Sequence, residues 1–158
     1  MNSGLALLLA FGIGVVTGLR SMTAPAAVAW GAHLGWLKLT GSPLAFMGSL
    51  WTVGFFTVGA LGEFVADLLP SSPARTAPGP LIARIVMGAL TGSCLAIAGG
   101  AFAILGAVLG AAGAVAGAHA GYRARMGLVR ALHAPDFAIA IPEDLVAIAL
   151  GMLLISRL

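Results

Sequence analysis

Long apolar stretches, separated by short polar or charged breaks, run through the whole chain. An apolar stretch of about 20 residues can cross a membrane as a helix, and little sequence is left over for loops. The pattern predicts six helical segments, with approximate bounds 4–19, 23–37, 44–69, 80–98, 101–122 and 142–157. The expected fold class is all-α, a polytopic transmembrane helical bundle of about six segments in one domain.

The second of these segments is shorter than the others. It begins near Thr23, whose hydroxyl can cap free backbone N–H groups, and Pro25 suits the first helical turn. At about 14 residues and 1.5 Å per residue it reaches about 21 Å, less than the roughly 30 Å of a hydrocarbon core. We expect it to be either a short, tilted and buried helix or a re-entrant one.

The composition is that of an integral membrane protein. Hydrophobic residues make up 60% of the chain, charged residues 8%, and the mean hydropathy is +1.07. A soluble domain has roughly 25% charged residues. The net charge of +3 does not indicate a nucleic-acid partner, because the arginines lie at segment ends instead of on one face. The expected surroundings are a lipid bilayer.

The distribution of cations predicts an orientation. If the segments cross alternately, one side receives six of the eight cations: Arg20, Arg75, Arg84, Arg123, Arg125 and Arg130. Only Lys38 and Arg157 fall on the other side. Cytoplasmic loops are enriched in Lys and Arg, so the first side should be cytoplasmic and both termini should lie outside the cytoplasm.

Two similar motifs predict an internal repeat. Residues 14–18 (GVVTG) match residues 88–92 (GALTG), and residues 31–36 (GAHLGW) match residues 117–122 (GAHAGY), in the same order. We expect an inverted 3+3 arrangement, because a unit with three crossings must be turned over in its second copy. Repeat one covers about 4–70, a Pro- and Ser-rich linker about 70–79, and repeat two about 80–158.

Charged side chains at membrane depth suggest a site, because they are costly there and seldom lack a partner or a role. Glu63 and Asp67 lie four residues apart on one helix face, and Arg20 and Arg84 enter from the ends of the first and fourth segments at similar depth. The predicted substrate- or ion-binding residues are Arg20, Glu63, Asp67, Arg84, Glu143 and Asp144. Two readings stay open for them, a polar vestibule for a ligand or a set of ion pairs that fixes the helices.

Glu143 and Asp144 also have a simpler explanation. They follow Pro142, where the last segment is predicted to begin. Acidic residues in a first helical turn are stabilised by the helix dipole, and need no ligand.

Glycines recur at four-residue spacing within three apolar segments, a pattern that lets helix backbones approach closely. The predicted packing glycines are Gly14, Gly18, Gly88, Gly92, Gly106, Gly110, Gly113, Gly117 and Gly121. They could contact helices of the same chain or form a homo-oligomer.

Several classes of chemistry lack their sequence signatures. The three histidines and single cysteine have no metal-ligand spacing, and the glycines lie inside apolar helices instead of in a phosphate-binding loop. No nucleophile and base stand at a recognisable spacing. We therefore expect no metal, no cofactor and no enzymatic activity.

Residues 18–25 (GLRSMTAP), 62–76 and 142–144 (PED) resemble a bacterial membrane family known as domain of unknown function 4126. The similarity extends over nearly the whole chain. It implies a small multi-span protein of the bacterial inner membrane, and no substrate or reaction.

Together these features predict a transporter or channel-like carrier of a small ion or polar solute, with its charged site on the cytoplasmic side. The alternative is a noncatalytic structural or assembly protein whose charges only join helices. A membrane enzyme acting on lipid is the least favoured class.

Overall fold

The computed structural model describes residues 2–67, 76–132 and 136–158, and over these ranges the protein is all-helical, as predicted. The six α-helices are α1 (Ser3–Leu19), α2 (Thr23–His33), α3 (Leu50–Asp67), α4 (Pro78–Ala98), α5 (Ala103–Leu132) and α6 (Asp136–Ile155). A short 3-10 helix, Ala45–Gly48, precedes α3. Most of the predicted linker lies outside the described residues.

Two of the described helices, α4 and α5, are long and apolar enough to cross a membrane. Two shorter helical stretches, Ser3–Leu19 and Leu50–Ala66, are also apolar. By length and composition the chain is compatible with a membrane protein.

The second helix is even shorter than predicted. It ends at His33 after 11 residues, about 16 Å by helical rise. Gly35 follows with φ of 80°, a left-handed conformation that stops a helix and that glycine adopts without strain. The irregular stretch before α3 is held inside the fold, because Leu37 and Met47 are buried in the core.

The last two helices are longer than predicted. The basic residues after Tyr122 continue α5 to Leu132, since Arg, Ala, Met and Leu are all good helix formers. Helix α6 begins at Asp136, so Pro142 lies inside the helix and not at its start. Glu143 and Asp144 are therefore in the third turn, and the explanation from the helix dipole is wrong for them.

Helices α4 and α5 pack against each other through glycines. A Cβ atom added to Gly110 would lie 2.9 Å from the carbonyl carbon of Gly88 and 3.0 Å from the Cα of Gly92. A Cβ added to Gly92 would also meet Gly106. The pairing of later residues on α4 with earlier residues on α5 shows that the two helices run antiparallel.

Helix α1 also packs against the glycines of α5, from Gly110 towards the C-terminal half of that helix. Gly14 faces Gly110, and a Cβ added to Gly18 would lie 2.8 Å from the Cα of Gly117. A Cβ added to Gly117 would in turn lie 3.0 Å from the Cα of Val15. Residue numbers here rise together, so α1 and α5 run parallel. The backbones of α1, α4 and α5 therefore approach one another closely at Gly110.

Most of the glycines predicted to pack helices do so within this chain. Those with close contacts to a neighbouring helix are Gly14, Gly18, Gly88, Gly92, Gly106, Gly110, Gly113 and Gly117. Gly121 is buried and lines a groove between α5 and α6. A homo-oligomer stays a separate prediction.

The matching motifs at residues 14–18 and 88–92 meet where α1 crosses α4. The Oγ1 atoms of Thr17 and Thr91 lie 3.3 Å apart, and both side chains are fully buried. Each hydroxyl also lies within hydrogen-bond distance of a carbonyl one turn earlier in its own helix, Ile13 O for Thr17 and Met87 O for Thr91, so one hydroxyl donates to its carbonyl and accepts from the other hydroxyl. A hydrogen bond between hydroxyls thus joins the two matching motifs inside the core.

The other three helices form a second group beside this one. Helix α2 packs against both α3 and α6, whereas α3 and α6 have few direct contacts with each other. The indole Nε1 of Trp30 on α2 donates to Thr57 Oγ1 on α3 at 3.1 Å. A cleft is left between α3 and α6, with α2 at its base.

Candidate functional site

Four of the predicted site residues come together at one end of the bundle. Arg20 follows α1, Glu63 lies near the end of α3, Arg84 is in the second turn of α4, and Asp144 is in α6. We call these four residues the charge cluster. Arg20, Arg84 and Asp144 are 2%, 6% and 7% exposed. In their ionised forms the four charges cancel.

The carboxylate of Glu63 caps the start of α2 from another helix. Its Oε1 accepts hydrogen bonds from the backbone N–H of Ser21 at 2.9 Å and from the Ser21 hydroxyl at 2.8 Å. Its Oε2 accepts from the N–H of Met22 at 2.9 Å. Met22 provides no side-chain cap for α2, so a carboxylate from α3 satisfies the exposed N–H groups instead.

The guanidinium of Arg84 has the complementary role at the end of α1. Its Nε donates to the carbonyl of Gly18 at 3.1 Å, and its Nη1 donates to the carbonyl of Pro80 at 3.1 Å. A cation near the last carbonyls of a helix is favoured by the helix dipole. Arg84 Nη2 also lies 3.5 Å from Glu63 Oε1, so the residues that cap the two sides of the α1–α2 break form an ion pair.

The second ion pair of the cluster joins α6 to the same break. Arg20 Nε contacts Asp144 Oδ1, and Arg20 Nη1 donates to the backbone carbonyl of Glu63 at 3.3 Å. The side chains of Arg20 and Asp144 are 3% and 10% exposed. Removing one member of such a pair leaves a buried charge uncompensated, at a cost of about 3–5 kcal/mol.

The remaining two predicted site residues are not part of these contacts. Glu143 lies 3.8 Å from Arg125 of α5, on another side of α6. Asp67 is the last residue of α3, and its side chain lies outside the described part of the chain. Among the described residues, no group of three His, Cys, Asp or Glu side chains could hold a metal ion.

A groove of about 400 Å³ runs along the cleft between α3 and α6. We call it the α3–α6 groove. Arg20 and Asp144 line its charged end, together with Thr23. Its remaining lining residues are Ala26, Ala27, Trp30, Thr57, Ala60, Leu61, Phe64, Ile148 and Met152. Apolar side chains thus form most of the groove, and Glu63 and Arg84 are not among its lining residues.

A second groove, of about 430 Å³, lies between α5 and α6. It too is mainly apolar, and it contains the Arg125 and Glu143 pair. Glu143 and Asp144 are adjacent in the chain, but Glu143 lines the groove between α5 and α6, whereas Asp144 lines the α3–α6 groove.

Comparison of the chain with family models, curated proteins and solved structures finds no match in any of the three. The resemblance to the bacterial family of unknown function therefore stays a prediction. Functional inference depends on the geometry of the charge cluster and the two grooves.

The charged residues of the cluster could be predicted from the sequence, but the backbone groups that they bind could not. The break after Leu19 frees carbonyl groups of α1 and N–H groups before α2, and these groups need partners when buried. A buried arginine and glutamate elsewhere in the chain are natural candidates for that role. No sequence feature predicted that Trp30, Thr57 and Phe64 line a groove, because each of these residue types is common in apolar helices.

Proposed function

We propose that the protein is a multi-pass membrane protein of the bacterial inner membrane, with six segments and both termini outside the cytoplasm. The apolar composition, the length of α4 and α5 and the cation distribution support this proposal. The opposite directions of α4 and α5 also agree with alternate crossings. The short α2 is either a tilted, buried helix or a re-entrant one.

The proposed architecture is an inverted repeat of α1–α3 and α4–α6. The contact between Thr17 and Thr91 supports it, because a two-fold axis between α1 and α4 would place equivalent residues of the two motifs against each other. The copies differ in detail, since α2 has 11 residues and α5 has 30.

We further propose that the protein carries a small ion or polar solute. The observation behind this proposal is the α3–α6 groove, which lies between helices of the two halves and reaches the Arg20 and Asp144 pair. Transporters built from inverted repeats commonly bind their solutes at the repeat interface. Arg20 and Asp144 would contact the solute, whereas Glu63 and Arg84 would hold the helices that position them.

Neutralising Asp144 tests this proposal. We expect Asp144→Asn to slow solute entry into proteoliposomes by at least about tenfold, equivalent to about 1.4 kcal/mol. Glu143→Gln is the matched control, because Glu143 lies outside the α3–α6 groove. Uptake would be measured over a panel of inorganic ions and small polar solutes, with gel filtration confirming that each variant is folded. The proposal fails if no solute enters with the wild-type protein, or if both variants behave alike.

A noncatalytic structural role is the second candidate, and the contacts of Glu63 favour it. Three hydrogen bonds and Arg84 surround this carboxylate, which is the arrangement expected of a group that fixes helices. Under this alternative, a double substitution of Arg20 and Asp144 by leucine would leave cellular function intact as long as the bundle stays folded.

A further inference from the structure

The α3–α6 groove combines an apolar channel with one charged end, and this combination restricts what can occupy it. From Asp144 to Met152 on α6 the groove is about 12 Å long, and from Thr57 to Phe64 on α3 about 10 Å. The hydrocarbon core of one leaflet is about 15 Å thick, half of the roughly 30 Å bilayer core. The groove therefore extends over about two-thirds to four-fifths of one leaflet.

The groove opens sideways and not only at its end. Helices α3 and α6 have few direct contacts, so the slot between them faces the surroundings of the bundle. Trp30, Phe64 and Ile148 on its walls are 42%, 37% and 50% exposed. In a bilayer, a chain lying among the lipid tails could enter this slot without crossing a polar region.

The charged end presents both signs of charge. Arg20 and Asp144 are paired with each other and almost buried, so an occupant has to exchange partners with this pair: a phosphate suits the Arg20 guanidinium, and an ammonium group suits the Asp144 carboxylate. A small inorganic ion would leave the apolar walls unfilled. A fatty acid or an anionic lipid would bring a negative charge to Asp144 with no ammonium group to offset the repulsion.

We infer that the groove binds one acyl chain of a phospholipid whose headgroup carries a phosphate and a primary amine, with the phosphate at Arg20 and the amine at Asp144. This inference rests on the proposed function for the site, because it keeps the same groove and the same Arg20 and Asp144 pair, and it assigns them an amphiphile in place of a small ion or polar solute. The solute is an amphiphile from the leaflet on the side of the charge cluster, and the apolar groove contributes to binding as well as the charges.

Filling the groove tests the inference. The probe is dioctanoyl phosphatidylethanolamine, titrated into the detergent-purified full chain and counted per protein by native mass spectrometry. Ala60→Phe and Ala27→Phe place a ring in the groove from α3 and from α2. We expect one bound lipid in the wild type, and at least about tenfold weaker binding in whichever filled variant elutes as a folded protein.

Two controls make the result specific. Ala149→Phe adds the same ring to an exposed position of α6 outside the groove, and should leave binding unchanged. Dioctanoyl phosphatidylglycerol, which lacks the amine, should bind at least about tenfold more weakly than the ethanolamine lipid, and Asp144→Asn should remove that preference. Equal binding by the groove-filling and control variants, or by the two lipids, overturns the inference.

The inference and the proposed function can fail separately. If a water-soluble solute enters proteoliposomes through the wild type and through Ala60→Phe at equal rates, transport stands, but its path is not the α3–α6 groove and the amphiphile is ruled out as the solute. If the lipid binds as expected but no ion, polar solute or labelled phosphatidylethanolamine crosses the bilayer, the groove is a lipid site and carriage is ruled out.

Discussion

Replacing Glu63 by glutamine should destabilise the protein strongly, although the two side chains have nearly the same shape. The glutamate uses both carboxylate oxygens, Oε1 for Ser21 and Oε2 for the N–H of Met22. Glutamine keeps only one acceptor oxygen, and its NH₂ group would face a backbone N–H. The substitution also removes the negative charge 3.5 Å from Arg84.

The magnitude follows from these contacts. The N–H of Met22 is partly buried, and a buried N–H left without an acceptor costs about 1–3 kcal/mol. Each of the two bonds from Ser21 changes from a charge-assisted to a neutral hydrogen bond and loses about 1 kcal/mol. The sum is about 3–5 kcal/mol, the range found when one partner of a buried ion pair is removed. Only 14% of the Glu63 side chain is exposed, so little solvent can substitute for the lost contacts.

The measurement is reversible unfolding in mixed micelles, followed by circular dichroism as the fraction of denaturing detergent rises. Glu143→Gln is the matched control, because its carboxylate lies 3.8 Å from Arg125 and does not cap a helix break. We expect it to cost less than Glu63→Gln, although the two side chains are equally buried, because no backbone N–H of a helix break depends on the Glu143 carboxylate. Equal stability of the two glutamine variants would refute the assignment of Glu63 as the cap of α2.

Two further predictions concern helix packing and the second ion pair. Gly110→Ala should destabilise the bundle by about 1–3 kcal/mol, because the new Cβ would lie 2.9 Å from the Gly88 carbonyl carbon. The control Gly127→Ala, with no atom within 4 Å of its Cβ, should be neutral or stabilising by up to about 1 kcal/mol. The same unfolding assay compares the two variants, and equal effects would contradict the packing described for α5. In the same assay, Asp144→Leu should lower the free energy of unfolding by about 3–5 kcal/mol. Adding Arg20→Leu should restore most of that stability, because an apolar pair can replace a buried ion pair. Additive losses from the two substitutions would show that the residues do not act as a pair.

The helical class and the charge cluster could be predicted because unsatisfied backbone groups and unpaired charges are both costly in an apolar environment. Six segments were evident from the apolar stretches, and Arg20, Glu63 and Arg84 were identified because isolated charges are expensive at membrane depth. The spacing of the glycines in α1, α4 and α5 predicted close helix packing, but not that these three helices pack against one another within the chain. These properties depend on residue type and short-range spacing, which a single sequence contains.

Helix ends and the exact contacts depended on tertiary structure and could not be predicted. Pro142 was taken as the start of α6, because proline favours a first turn, but the apolar residues before it extend the helix by six positions. The function of Asp144 changed with that boundary, from a stabiliser of a first turn to a partner of Arg20. Likewise, no local pattern shows that the break before Thr23 is capped by a residue 40 positions away.

The capping of the α1–α2 break has a consequence for biogenesis. When α1 and α2 leave the ribosome, neither Glu63 nor Arg84 has yet emerged from it, so the carbonyl of Gly18 and the N–H of Met22 still depend on water. Bare polar backbone groups are costly in lipid. In the membrane topology that we propose, the α1–α2 hairpin should therefore wait in the hydrated channel of the insertion machinery or at the membrane surface, and enter the bilayer core only together with α3 and α4.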